Sequence, residues 1–358
     1  MKFIKYLLLP LSICLLLRCQ KDQKVEDELF VFQADERLFA ADAFMNIGGF
    51  DLEYNDQGMH PIRAEVRKEL MNRLDKEYQH SIREYYSNHD QYLGYYGTYA
   101  LLLTKPPNFS LNYDPQKSDE HISDIVNALP ELDEHLSEFY QRANIHKLWE
   151  RYKIPIQEKI DSYRPYAKQA IDDLMAYFKT DKKAFKQSQR KLVTLFSPLM
   201  SYFTAFTVTI NNDFYFVFGP EPGEPSAGSY YHEVMHHIAN PIVEKHLSEV
   251  NQLFPLSMLA KEKLPNSDWN YVVIESFVRT ISKVLEGRLH KFADEKIRET
   301  IEDEYKLGYV LCFYFYENLP AYEVSNEPME QYFSKLITNV DVEKEKTRWK
   351  EFWNNQSN

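Results

Sequence analysis

The chain has 358 residues with 42 Lys and Arg against 54 Asp and Glu, a formal net charge of -12, and 15% aromatic residues. That length supports one large two-lobed domain or two modest ones, and an acidic balance without a basic block argues against a nucleic-acid partner. After the first twenty residues no stretch is long and apolar enough to predict a membrane span, and no internal repeat is evident.

At the N-terminus, Lys2 and Lys5 precede an apolar run from Tyr6 to Leu17 that is too short to span a bilayer and is interrupted by Pro10. This pattern predicts a secretory signal. Cys19 follows Leu16-Leu17-Arg18, where a lipoprotein signal would leave a cysteine for acylation, although Arg18 is larger than the residue usual there; Cys14 is a second candidate. We therefore expect residues 1–19 to be a lipoprotein signal peptide and 20–34 a flexible tether. The protein would then be extracytoplasmic, held to the bacterial cell envelope only through its N-terminal lipid. With Cys14 removed and Cys19 acylated, only Cys312 is left, which cannot close an internal disulfide. Its apolar setting, Gly308 to Tyr316, predicts a buried, inert thiol.

Taken in order, Asp35 to Met45 shows helical apolar spacing stopped by Gly48-Gly49, and Pro61 opens a second helix through Leu70 and Leu74. Tyr92 to Leu103 predicts a more apolar helix, and Lys105 to Lys117, with three prolines, a loop. Pro130 opens an amphipathic helix carrying Leu132, Leu136, Phe139, Tyr140 and Ala143, and Ile154 to Phe178 continues as helix, bent or broken at Pro165. Residues 35–188 thus read as an N-terminal helical lobe. Its histidines, His60, His80, His89, His121, His135 and His146, lie among charged residues and read as solvated or locally bonded.

The pattern changes near Arg190. Leu192–Phe196, Phe206–Ile210 and Phe214–Phe218 are β-branched and aromatic, and Asn211-Asn212-Asp213 between the last two predicts a hairpin. A small antiparallel sheet over 190–219 is expected. A Gly/Pro-rich loop follows, then a helix over 229–240 that Pro241 should end or bend at Asn240. Further helices are expected over 242–264 and 269–289, then C-terminal helices ending in a charged tail after Val340. Residues 189–358 would form the catalytic part.

Residues 230–241 read YYHEVMHHIANP. His232 and His236, four apart, project from one helical face and can grip one metal ion, with Glu233 beside it. A water on zinc loses its proton near neutral pH, and a neighbouring carboxylate can take that proton. The plainer reading is two histidines and a glutamate pairing on an ordinary helix. A catalytic zinc needs a third protein ligand. Position 242 is Ile, so a third histidine six residues on is excluded. Glu275, within the apolar stretch Tyr271 to Arg279, is the strongest carboxylate, because an ionised glutamate there would be costly to bury without a cation. An ordinary ion pair with Arg279, four residues later, is the competing reading; if Glu275 binds metal, Arg279 would orient it. Glu244, Glu262 and Glu286 are weaker candidates. Tyr230, Tyr231, His237 and Tyr271 could each steady an oxyanion or simply pack.

The order of sheet, HExxH helix and glutamate on a later helix resembles a gluzincin-type zinc metallopeptidase. More narrowly, the strand, Gly-Pro loop, HExxH and Asn240-Pro241, with Asn46-Ile-Gly-Gly-Phe-Asp51 earlier, resemble a family of bacterial lipoproteins carrying a domain of unknown function. The resemblance implies an α+β, mostly helical, zincin-like fold with helical lobes on either side of a cleft. It also implies one Zn2+ per chain held by His232, His236 and Glu275, with Glu233 as general base. The substrate would be a peptide or protein, which could add to an edge strand near Phe214–Phe218. The gap to Glu275 is longer than the gluzincin pattern, and the Asn-Glu signature around the third ligand is missing. Two other classes fit the same letters: a non-catalytic envelope lipoprotein whose metal site is structural, and a zinc hydrolase of a bond other than a peptide.

Overall fold

The computed structural model describes residues 29–51, 58–180, 191–223 and 227–356. The expected signal peptide, Cys14, Cys19 and most of the tether lie outside these described residues. Packing divides the chain into two units, Met1–Arg164 with Lys186–Glu224 and Pro165–Phe185 with Pro225–Asn358. This differs from a single cut at residue 189, because the sheet goes with the first unit's helices and a helix from the first half goes with the second.

The first unit's sheet has four strands, β1 (Phe30–Phe32), β2 (Leu192–Phe196), β3 (Ala205–Ile210) and β4 (Asp213–Phe218), in the order β1-β2-β4-β3. It is mixed, not antiparallel as expected: β1 and β4 both run parallel to β2, and only β3 opposes β4. The physical reason lies in β2, whose five residues are all buried, as befits a strand between two parallel neighbours and covered on both faces. β1 is only three residues long, within the stretch read as tether. Because β4 lies between β2 and β3, Phe214–Phe218 is an interior strand, and the expected edge for peptide addition is not there. The hairpin holds as expected, with Asn211 and Asn212 at φ 53 and 65, left-handed values that asparagine tolerates.

Helix α1 (Glu36–Gly48) is the unit's centre. Asp35 caps it by accepting from the Arg37 N–H, Gly49 ends it at φ 115, and every residue from Leu38 to Gly48 is buried. Around it stand α2 (Pro61–Arg73), α3 (Lys76–Asn88), α4 (Leu93–Leu101), α5 (Ile122–Ala128), α6 (Leu132–Arg142) and α7 (Ile145–Ser162). Phe39 meets Trp149 and Tyr152, and Phe44 meets Tyr85 and Phe139. The helix expected from Ile154 begins earlier, runs through Pro155 and stops at Tyr163. On α4, Gly97 lies so close to the Phe206 ring that a Cβ has no room.

A polar cluster sits inside this unit. Arg63, fully buried, donates to the Asn46 Oδ1 and to the Phe50 carbonyl at 2.8 Å, and Asn46 donates to the carbonyls of Asp42 and Leu199. The Ser197 hydroxyl donates to the Asp42 carboxyl.

The second unit is helical among the described residues: α8 (Arg164–Tyr177), α9 (Ala227–Glu244), α10 (Leu247–Gln252), α11 (Ser257–Lys261), α12 (Trp269–Leu289), α13 (Asp294–Lys306), α14 (Cys312–Glu323), α15 (Met329–Thr338) and α16 (Val342–Gln356). Three expectations are corrected here. First, of the end or bend expected at Asn240 the end does not occur, because α9 passes through Pro241; the proline is exposed, while Ile242 and Val243 beyond it are buried, so packing of the last turn outweighs the lost backbone bond. Second, the helix expected over 242–264 is split into α10, a 3-10 turn holding Pro255, and α11. Third, the expected charged tail is α16, anchored by buried Trp349, which stacks edge-on to Tyr305 and donates to Glu262 at 2.9 Å.

Helix α12, capped by Asp268 accepting from the Asn270 and Tyr271 N–H groups, packs against α9, α13 and α14. Cys312 is buried and free, and burial pushes its thiol up to about 12, in keeping with an inert side chain. No helix among the described residues is long and apolar enough to cross a membrane.

Burial pushes the Asp42 carboxyl up to about 7 against the lowering by the Ser197 hydrogen bond and the Arg63 charge. The folded chain therefore keeps a proton that the unfolded chain releases near about pH 4. Stability from this group is full below that value and is lost as pH rises through about 7. Asp42→Asn should flatten this part of the profile, leaving melting near about pH 3 unchanged and raising it near about pH 8, with a full effect on the order of 4 kcal/mol. Identical slopes in the two proteins would place the Asp42 pKa in the ordinary range.

Candidate metal centre

The site is built from two helices of the second unit. His232, His236 and Asn240 follow one another at four-residue intervals along α9, so they line one strip of its surface beside the buried stripe of Tyr231, Val234, Met235 and Ala239. Facing them on α12 is Glu275, 4% exposed in a helix buried on almost every side.

The two imidazoles point their Nε2 atoms at each other across 3.2 Å. Glu275 closes the triangle, with Oε1 3.2 Å from the His236 Nε2 and Oε2 3.8 Å from the His232 Nε2. These three residues could hold a metal ion, each offering one ligand atom within 4.8 Å of the others.

Tautomers follow from the partners. The Asn240 Oδ1 lies 3.1 Å from the His236 Nδ1; an amide oxygen only accepts, so Nδ1 carries a proton and Nε2 is the nitrogen turned to the centre. Burial drives His232 down to about 3, against the opposing pull of Glu275, so that ring is neutral at pH 7. Burial would raise Glu275, but the His236 hydrogen bond and the electrostatic interactions with Arg279 and the two imidazoles outweigh it and hold the carboxyl at about 2. His236 is the group whose basicity rises, because its bond and charge interaction with Glu275 exceed the lowering by burial. The cluster thus draws positive charge towards its centre.

Arg279 surrounds the outer side of Glu275. Its Nε donates to the Glu275 Oε2 at 2.7 Å, its Nη1 to the Glu304 Oε2 of α13 at 2.7 Å, and its guanidinium lies over the Tyr309 ring at 4.2 Å. The competing sequence reading, an Arg279–Glu275 ion pair, is therefore present together with the two imidazoles and does not exclude them.

Glu233 is half-buried, next to His232 on α9. Tyr271 interacts electrostatically with both Glu275 and Glu233, and its hydroxyl is hydrogen-bonded with that of Tyr309. Tyr271 is half-exposed, so it lies at the solvent side of the cluster. Other expected participants stand elsewhere. Tyr231 is buried and donates its hydroxyl to Asp173 of α8, Tyr230 is buried, and His237 is half-buried one position round the helix from His236. Glu286 lies against the Gly228 backbone at the start of α9, where a Cβ would meet its carboxylate at 2.5 Å, Glu262 accepts from Trp349, and Glu244 is exposed.

Asn240, Glu304 and Tyr309 were not anticipated. Asn240 had a usable signal, the same four-residue step that links the histidines. Glu304 had none, because it stands in an acidic surface-like run, Glu302-Asp303-Glu304, and only the packing of α13 on α12 brings it to Arg279.

No protein-family model, curated protein or solved structure matches the chain. The functional reading rests on these side chains.

Wild-type protein should take up about one divalent ion per chain, and metal at about a thousand times its dissociation constant should stabilise the fold by about 4 kcal/mol. Glu275→Gln, which keeps the shape and removes the charge, should bind at least about 10-fold more weakly and lose most of that thermal shift. Full occupancy and an undiminished shift in Glu275→Gln would remove Glu275 from the ligand set.

Proposed function

We propose that this protein is a zinc-dependent hydrolase, a metallopeptidase of gluzincin type. The observation that carries the reading is the convergence of His232, His236 and Glu275 beside Glu233. For metal–ligand bonds of about 2.0–2.1 Å, tetrahedral coordination separates neighbouring ligand atoms by about 3.3 Å; the separations of His232 from His236 and of His236 from Glu275 are both 3.2 Å, and that of His232 from Glu275 is 3.8 Å. Two imidazole nitrogens and one carboxylate oxygen are also the donor set of open, catalytic zinc sites rather than closed structural ones. When bound there, zinc would supply Lewis acidity, polarising the scissile carbonyl and making water nucleophilic near neutral pH.

The chain's own residues would do the rest. Neutral His232 and His236 keep their Nε2 lone pairs for coordination, and Asn240 holds His236 in the required tautomer. Glu233 acts as general base, taking a proton from the attacking water and returning it to the leaving amine. Tyr271, half-exposed beside Glu233, is the hydroxyl best placed to donate to the developing oxyanion. Tyr231 is a poor candidate for that role because its hydroxyl is already given to Asp173. Peptide binding by addition to β4 plays no part in the proposal.

Glu233→Gln separates chemistry from metal binding. On a mixed peptide library, the variant should keep its zinc while turnover falls by about 10²–10⁴-fold. Turnover equal to wild type would remove Glu233 from the mechanism, and absence of any hydrolysis by the zinc-loaded wild type on peptides would overturn the peptidase reading.

A further inference from the structure

Resting on the metal-site reading above, we propose that Arg279 and Glu304 form a positioning device. Together they hold the Glu275 Oε2, so that Oε1 alone is offered to the metal and one coordination corner stays open to solvent. Neither residue touches the metal or substrate in this account.

The argument begins with a carboxylate's freedom. A glutamate on a helix can rotate its terminal group and present one oxygen or both to a cation. If Glu275 gave both, two imidazoles and two oxygens would occupy four positions and the site would be closed, as structural sites are. What limits Glu275 is a hydrogen bond from one side: the Arg279 Nε approaches Oε2 at 2.7 Å. That oxygen is 3.8 Å from the His232 Nε2, whereas Oε1 is 3.2 Å from the His236 Nε2. Each oxygen thus faces one imidazole, Oε1 that of His236 and Oε2 that of His232, but only Oε2 is also held by the arginine, which leaves Oε1 as the oxygen for the metal.

A single hydrogen bond would not fix Arg279 itself, since its side chain has many rotamers. Two further contacts do, and a third holds Glu304. Nη1 donates to the Glu304 Oε2 at 2.7 Å, the guanidinium lies over Tyr309 at 4.2 Å, and Lys283, four residues on along α12, approaches the Glu304 Oε1 at 3.7 Å. Glu304 is itself buried at 8% exposure, so its charge is compensated by Arg279 and Lys283 and its position is set by α13. The planar fork of arginine is needed because two differently placed N–H groups must serve two carboxylates; a lysine ammonium is a point charge and cannot hold that plane. An ordinary ion pair fastening α12 to α13 would use the same residues but would leave the metal indifferent to them.

The test compares wild type, Glu304→Gln and Arg279→Lys by zinc competition against a chromophoric chelator and by the visible spectrum of the Co2+-loaded protein, with circular dichroism to confirm folding. Both variants should bind zinc about 10–100-fold more weakly than wild type. The cobalt spectrum should also change from that of wild type, because the oxygen ligands around the metal change. If folded variants match wild type in both affinity and spectrum, the pair only fastens helices and the inference is overturned. Should Glu304→Gln not fold, Arg279→Lys, which preserves net charge, decides alone. A wild-type protein that takes up no zinc would instead overturn the metal reading on which this rests.

Discussion

Three lone-pair-bearing atoms from two packed helices, the Nε2 atoms of His232 and His236 and a carboxylate oxygen of Glu275, meet in the second unit and could hold a metal ion between them. Two neutral imidazole nitrogens 3.2 Å apart can share at most one proton, and an ionised carboxylate oxygen at 3.2 Å from one of them adds a further acceptor. Burial makes such an arrangement costly unless a proton or a cation stands at its centre. The depressed Glu275 and the raised His236 are the responses of a cluster that holds its negative charge and attracts positive charge.

The surrounding helices make that demand permanent. Helix α12 is buried on nearly every side, so Glu275 cannot swing out to water, and Asn240 and Arg279 fix the groups that face it from either side. The polar cluster of the first unit is the instructive contrast. There, Arg63, Asn46 and Ser197 supply donors to Asp42, Leu199 and Phe50, and the carboxyl answers burial by retaining its own proton near neutrality. One buried acid keeps its proton; the other accepts from Arg279 and, with two imidazole nitrogens beside it, could hold a metal ion.

Much of this was legible from residue order, for reasons that differ by element. The histidine pair and Glu275 were readable because helical periodicity converts a four-residue step into a shared face, and because a lone acid in an apolar run asks for a counter-charge. Helix α12 was read at its observed bounds, Trp269–Leu289, since Asp268 caps it visibly. The mixed sheet was not legible: β1 is three residues long, and parallel pairing between Phe30–Phe32 and Leu192–Phe196 joins segments about 160 residues apart, beyond the reach of local pattern. The continuation of α9 through Pro241 was missed because the burial of Ile242 and Val243 is a tertiary fact. Glu304 belongs to the same class, an acid whose surroundings look like surface until α13 is packed.

The most direct measurement is anomalous diffraction at the zinc edge from crystals of the zinc-loaded full chain. The account predicts one strong peak within about 2.0–2.2 Å of the His232 Nε2, the His236 Nε2 and the Glu275 Oε1, with the Glu275 Oε2 held by Arg279 and solvent in the remaining position. A peak elsewhere, or none at this cluster in zinc-loaded crystals, would contradict it.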